Sequence, residues 1–184
     1  EAGSYTLELT DDNDCPLTTS YVVPQPPPLT NVLERLDPAC SGEDGTFTFF
    51  PDGGTPPYVF SADGGLTFTE DASIDAGPGT YSLVIRDQNG CLFTDEAEMT
   101  EPLPLFLDAP EQIILDYGDS ITLFIPLYNV RGDTFLQWLP ATSQLSCDDC
   151  LNPTIYAQET TVFYLRVTDS FGCTASARIP MIVK

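Results

Sequence analysis

Residues 79 to 105 read GTYSLVIRDQNGCLFTDEAEMTEPLPL. Thr80 to Asp87 form an alternating, β-branched and aromatic run, which predicts a strand. DQNGC (87 to 91) then predicts a hairpin turn, because Asn-Gly tolerates the left-handed backbone that a tight connection needs. EPLPL (101 to 105) closes the stretch with prolines that cannot continue a central strand. The whole passage lies over residues 3 to 29, GSYTLELTDDNDCPLTTSYVVPQPPPL, at a constant offset of 76 without a gap. Gly3/Gly79, Tyr5/Tyr81, Leu7/Leu83, Asp11/Asp87, Asn13/Asn89, Cys15/Cys91, Pro26/Pro102 and Leu29/Leu105 all recur. FYLRVTDSFGC, Phe163 to Cys173, repeats the aromatic-to-Asp-to-Cys spacing a third time. A period of this length is one domain rather than one turn of a solenoid.

Working outward, the chain reads as β throughout. TFTFF (46 to 50), PYVFSA (57 to 62), LTFTE (66 to 70), SITLFIPL (120 to 127), TFLQWL (134 to 139), TVFYLRVTD (161 to 169) and the final IPMIVK predict strands. LTNVLERL (29 to 36) reads as the first strand of a domain. PDGGTPPY (51 to 58) is a loop by its glycines and prolines. Strands at this spacing imply sandwiches. VPQPPPL (23 to 29) and EPLPL read as short, semi-rigid polyproline linkers. Three segments follow: 1 to 28, the closing strands of a preceding repeat; 29 to 104, one complete repeat; and 105 to 184, a further sandwich. The fold class is all-β, with tandem immunoglobulin-like sandwiches arranged end to end.

Composition narrows the function. Six Lys plus Arg stand against 28 Asp plus Glu, a net charge of −22. Such a surface repels nucleic acid and anionic membranes and favours solubility, divalent cations or basic partners. There is no histidine, and Lys184 is the only lysine. Imidazole acid–base chemistry, His-ligated metals, Ser-His-Asp and Cys-His nucleophiles and lysine Schiff bases are thereby excluded. Covalent reinforcement falls to the six cysteines, whose spacing fits no zinc ribbon and indicates an oxidising compartment. No apolar run approaches the roughly 20 residues of a membrane helix. Export signals, on this reading, lie outside the sequence in hand.

Several residues carry candidate roles. Tyr81, with Tyr5 in the first copy, begins the strand entering the cysteine turn and resembles the tyrosine corner of immunoglobulin-like sandwiches, a buried ring whose hydroxyl returns to the backbone. Trp138 and the five Phe and Tyr residues from Phe47 to Phe60 read as core. Asp11, Asn13, Asp87 and Asn89 offer clustered oxygens, a start on a calcium site; Asx-turn hydrogen bonding accounts for the same residues without metal. Asp119-Ser120-Ile121 fits a short O-glycosylation motif at Ser120, and Arg131-Gly132-Asp133 spells an integrin tripeptide in a loop. Cys147 and Cys150 enclose two carboxylates that oppose thiolate formation, so they read as a loop disulfide rather than a redox pair.

The ordered series CSGEDGTFTFFPDGGTPPYVFS, AGPGTYSLVIRDQNGC and TEPLPL resembles the SprB-type repeat of gliding-motility and surface adhesins from Bacteroidetes. Residues 105 to 184, with YGDSITLFIPL, FLQWLPATSQLSCDDC and VFYLRVTDSFGCTA, resemble the PKD-like domain that often precedes the sorting domain of type IX secretion substrates; Phe163 stands where that family usually has Tyr. The resemblance implies a secreted, extracellular, non-enzymatic stalk of an adhesin or filament. Its partners would be neighbouring repeats or filament subunits, with surface glycans as further ligands, and it needs no cofactor. The alternative is a sandwich that itself binds a glycan or calcium. In an immunoglobulin-like sandwich Cys40, after the first strand, lies at the end facing the next domain, whereas the turn cysteines Cys15, Cys91 and Cys173 lie at the opposite end. Two pairings follow: Cys40 with Cys173 across the linker, the partners of Cys15 and Cys91 then lying upstream, or Cys40 with Cys91 inside the repeat.

Overall fold

Alternation of apolar and polar side chains gives a strand one face to bury, and the chain folds wherever two such faces meet. The structure, a computed structural model, describes residues 2–184. Its strands are β1 (Gly3–Thr10), β2 (Pro16–Val23), β3 (Thr30–Leu36), β4 (Gly45–Asp52), β5 (Val59–Ser61), β6 (Ser73–Ala76), β7 (Gly79–Arg86) and β8 (Leu92–Met99). They continue with β9 (Phe106–Leu107), β10 (Ile113–Leu115), β11 (Ser120–Thr122), β12 (Leu127–Tyr128), β13 (Thr134–Leu139), β14 (Thr154–Tyr156), β15 (Thr161–Asp169) and β16 (Thr174–Val183). The described residues contain no helix.

Two compact units result. One comprises the segments up to Arg35, Phe47–Asp75 and Thr80–Glu98; the other comprises Leu36–Thr46, Ala76–Gly79 and Met99–Lys184. The loop after β3, which carries Cys40, therefore belongs to the same unit as residues 105 to 184.

In the first unit, a β3-β4-β6 sheet faces a β5-β7-β8 sheet. Aromatic contacts join them. Phe47 of β4 meets the Tyr81 ring edge-on at 5.5 Å, and Phe49 lies 5.2 Å from Phe60 of β5. Strand alternation corrects one expectation: Phe47, Phe49 and Phe60 are buried, but Phe50 points outward and is 51% exposed. Tyr58 is half-buried, and its hydroxyl donates to the Gly53 carbonyl at 2.6 Å, five residues back. Tyr81 packs on Phe47 and is half-buried. The equivalent Tyr5 is 48% exposed, in a two-stranded hairpin of β1 and β2.

LTFTE does not form the expected strand. Only Thr69 bridges Phe60, and the sheet position goes to Ser73–Ala76 instead. Asp63 is the reason. Its carboxylate accepts from the Leu66 amide, the Thr67 amide and hydroxyl, and the Ser61 hydroxyl at 2.6–3.0 Å, which ties residues 61 to 67 into a knot of side chain-to-backbone bonds that compete with a ladder. The Thr67 hydroxyl and amide, with Ser61, hold the Asp63 carboxyl far below the usual carboxylate range. A carboxyl whose folded pKa is depressed contributes stability above its unfolded pKa near 4, and that contribution is lost as pH falls through the folded value. Asp63→Asn should therefore lower the melting temperature at pH 7, and the gap from wild type should narrow steadily as pH falls below about 4. Thermal melts of both proteins from pH 2 to 7 check this; a gap independent of pH would contradict it.

In the second unit, a β10-β16-β15-β13 sheet packs on the β11-β14 and β9-β12 pairs. The core holds Trp138, Phe163, Leu165, Val167, Ile179 and Met181 from the large sheet, with Ile125 and Ile155 opposite. SITLFIPL is broken after Thr122 and resumes as β12: the Leu123 amide donates to the Pro153 carbonyl and the Ile125 amide to Asn152 Oδ1, and Pro126 has no amide for a ladder. β10 runs parallel to β16, pairing Ile113 with Met181 and Leu115 with Val183, while β15 pairs antiparallel along its other edge from Thr161↔Met181 to Thr168↔Thr174.

Candidate functional site: the cysteine turns

One five-residue turn is built three times. In each, the backbone amide of an aspartate at the end of a strand donates to the carbonyl of the cysteine four residues on. The Asp87 amide donates to the Cys91 carbonyl at 3.0 Å and the Asp169 amide to the Cys173 carbonyl at 3.0 Å; the Asp11 and Cys15 pair is longer, at 3.3 Å. The aspartate Oδ1 then accepts the cysteine amide, at 3.0 Å for Cys15, 2.7 Å for Cys91 and 3.0 Å for Cys173. A single left-handed residue precedes each cysteine: Asp14 at φ 61°, Gly90 at 83° and Gly172 at 86°. The turn thus needs one positive φ, not the two that an Asn-Gly type I′ hairpin requires, and Asn89 is not among the left-handed residues.

The three cysteines differ in what they meet. Cys15 and Cys91 are free and exposed. Cys173 is buried and bonded to Cys40, Cα to Cα 5.4 Å, across 133 positions of sequence. No Cys40 to Cys91 bridge forms. Cys147 and Cys150 form the second disulfide, Cα to Cα 5.8 Å, and the Trp138 indole donates to the Cys150 carbonyl at 2.8 Å, which fastens that loop to the core.

Arg131 organises the Cys40–Cys173 site. Its guanidinium donates to the carbonyl of Ala39, the residue before Cys40, and lies 3.1 Å from Cys173 Sγ. It covers the Phe171 ring at 4.5 Å and stands 4.0 Å from Asp169 Oδ2, which is buried with no hydrogen bond. A cation is thus held against both halves of the bridge. In the sequence, Arg131 stands in an Arg-Gly-Asp tripeptide that points to another role. The only sequence signal was that Arg131 is one of six cations among 28 carboxylates. Arg131→Met removes the partner of a buried carboxylate and should cost about 1–3 kcal/mol, read as a lower urea midpoint of the oxidised protein. An unchanged midpoint would show that the guanidinium holds nothing.

The calcium candidates are already occupied by protein donors. Asp11 Oδ1 accepts the Asn13 amide at 2.8 Å besides that of Cys15. Asp87 gives its second oxygen to the Thr55 amide at 2.9 Å, and the Asn89 side chain donates to Thr55 Oγ1 at 2.8 Å. The Cys15 and Asn13 amides pull the Asp11 carboxyl down. Burial pushes Asp87 up, but the Cys91, Thr55 and Asn89 amides outweigh it, and its pKa too is lowered. Asx bonding accounts for Asp11 and Asp87, and Asn89 is used in a bond across the loop to Thr55. Among the described residues, no group of three or more His, Cys, Asp or Glu is placed to hold a metal ion. Ser120 is exposed at the start of β11, opposite Tyr156. Among the described residues no helix is long and apolar enough to cross a membrane.

No protein-family model and no curated protein matches this chain. Among solved structures it is similar to three N-terminal domains of the Highly Immunogenic Outer Capsid protein of bacteriophage RB49, at 17% identity and a TM-score of 0.43, over 84% of this chain and 59% of that one. It is similar to titin domains I67–I69 at 10% identity and a TM-score of 0.46, over 100% of this chain and 75% of that one. It is also similar to the N-terminal eight immunoglobulin domains of Down Syndrome Cell Adhesion Molecule, at 13% identity and a TM-score of 0.40, over 100% of this chain and 31% of that one.

Proposed function

We propose that this chain is a non-enzymatic stalk segment of a large secreted adhesin or surface filament, in which SprB-type repeats lead into a PKD-like domain of the kind found in type IX secretion substrates. The observation that carries the reading is the Cys40–Cys173 bond. It ties the loop after the first strand of one repeat to the cysteine turn of the following segment. The same turn stands ready twice more, with Cys15 and Cys91 exposed in it. A protein built to transmit load gains from such a bond, which holds two segments far apart in sequence at a fixed separation.

In this reading β1–β2 is the counterpart of β7–β8. Leu83 and Ile85 of β7 are 2% and 1% exposed under the facing sheet, while their equivalents Leu7 and Leu9 are 56% and 51% exposed. A preceding repeat would supply the strands that cover them. The lack of histidine and the single lysine support a non-catalytic role. The cysteines support an extracellular location. The test is the flanking coding sequence together with non-reducing peptide mapping of the natural protein. Further repeats upstream, each with a Cys-x-Gly after its first strand, and Cys91 linked to one of them, are the expected result. A chain with no further repeats, or Cys91 recovered as a free thiol from the secreted protein, would remove the stalk reading.

A further inference from the structure

Cys40 comes four residues after β3, and Cys173 comes directly before β16. A pull applied ahead of β3 and beyond Val183 therefore has a covalent short cut. It runs along β3 to Cys40, through the sulfurs to Cys173, and along β16 to Lys184. Everything from residue 41 to 172 hangs in a closed loop beside this line. We infer that the Cys40–Cys173 bond is a load-bearing bypass, which places one strand of the first unit and one strand of the second in series and takes the rest of both sandwiches out of the path of force. The inference rests on the stalk reading only for the source of the load.

Force unfolds a domain only by the work it does over the length it can release. A strand already rises about 3.3 Å per residue, against a limit of about 3.3–3.6 Å for any chain. β16 is ten residues long and is pulled at its own two ends. It has almost nothing to give. β15 holds it along one edge and β10 the other. β3 is loaded in the same manner. When the bond is cut, the same pull must pass through β4 and each later strand in turn, and all the hidden chain becomes available. The bridge conceals 133 residue steps, roughly 450 Å of extended chain at about 3.4 Å per step. The Cys147–Cys150 bridge, three positions apart, conceals almost none.

The position of the cysteines matches this role. Cys15 stands directly before β2 and Cys91 directly before β8, as Cys173 does before β16. Each turn cysteine is thus placed where a pull enters the last strand of its hairpin end-on. A disulfide serving stability alone has no need to sit at the mouth of a strand.

The experiment holds the oxidised chain, residues 1 to 184, by handles at its two ends in magnetic tweezers. Under rising force the extension should stop at about 180 Å, the length of the residues outside the bridge. Adding a phosphine reductant at constant force should then release about 450 Å more in each molecule, as one rupture followed by unfolding steps. The Cys40→Ser/Cys173→Ser protein should extend fully with no reductant; because losing the bond also lowers the stability of that variant, the before-and-after comparison on single wild-type molecules is the deciding one. An oxidised chain that reaches full length, or a reductant that releases nothing, overturns the bypass. Absence of further repeats in the flanking sequence would remove the stalk reading and leave this measurement untouched.

Discussion

Breaking the Cys40–Cys173 bond should lower the melting temperature by about 10–20 °C. Closing a loop of 133 positions removes chain entropy from the unfolded ensemble worth about 5 kcal/mol at 25 °C. For a chain of this length each kcal/mol moves the midpoint by roughly 2–4 °C. The loop contains most of both units, so the constraint acts on whichever unfolds. The Cys147–Cys150 loop encloses so few residues that the same reasoning gives it under about 2 kcal/mol, and Cys147→Ser/Cys150→Ser should shift the midpoint far less. Calorimetry of the oxidised protein, of the reduced protein and of Cys40→Ser/Cys173→Ser measures the difference. A double variant that melts within 3 °C of wild type would show that the bond constrains nothing the fold does not already hold.

The fold was legible wherever one residue's chemistry acts within a few positions. The offset of 76 exposed the hairpins, and β7, β13 and β15 lie within a residue of the runs TYSLVIRD, TFLQWL and TVFYLRVTD, because alternation and turn chemistry are local properties. LTFTE departs from its strand pattern for a reason outside the run itself. Its apolar alternation is sound, but Asp63 reaches forward and takes the amides that a ladder would have used. Phe50 was read as core with its neighbours, although strand parity alone puts it outside. The site was legible at its cysteines but not at its arginine. Which loop returns to the Cys173 turn depends on sheet order, and nothing in the RGD tripeptide says that its guanidinium turns inward to Ala39 and Phe171. The boundary of the units was equally hidden, since residues 36 to 46 leave the sequence neighbours on either side to join the second unit.

Trp138→Ala should unfold the second unit at moderate temperature while leaving the first to melt near its own midpoint. The indole is 1% exposed, packs edge-on against Phe163 at 6.4 Å and donates to the Cys150 carbonyl. Removing a buried aromatic of this size costs about 3–5 kcal/mol through lost burial and the cavity left behind. The Cys150 carbonyl loses its partner as well, which adds about 1 kcal/mol. Trp138→Phe keeps most of the volume and loses the hydrogen bond, so it should fall between wild type and alanine. The indole is the only tryptophan in the chain, which makes wild-type fluorescence a report on the second unit alone, and circular dichroism follows both. Two separated transitions in Trp138→Ala, with the lower one absent from wild type, are the expected pattern. A single transition at the wild-type temperature would mean that the ring does not hold the β13–β15 face of the sandwich together.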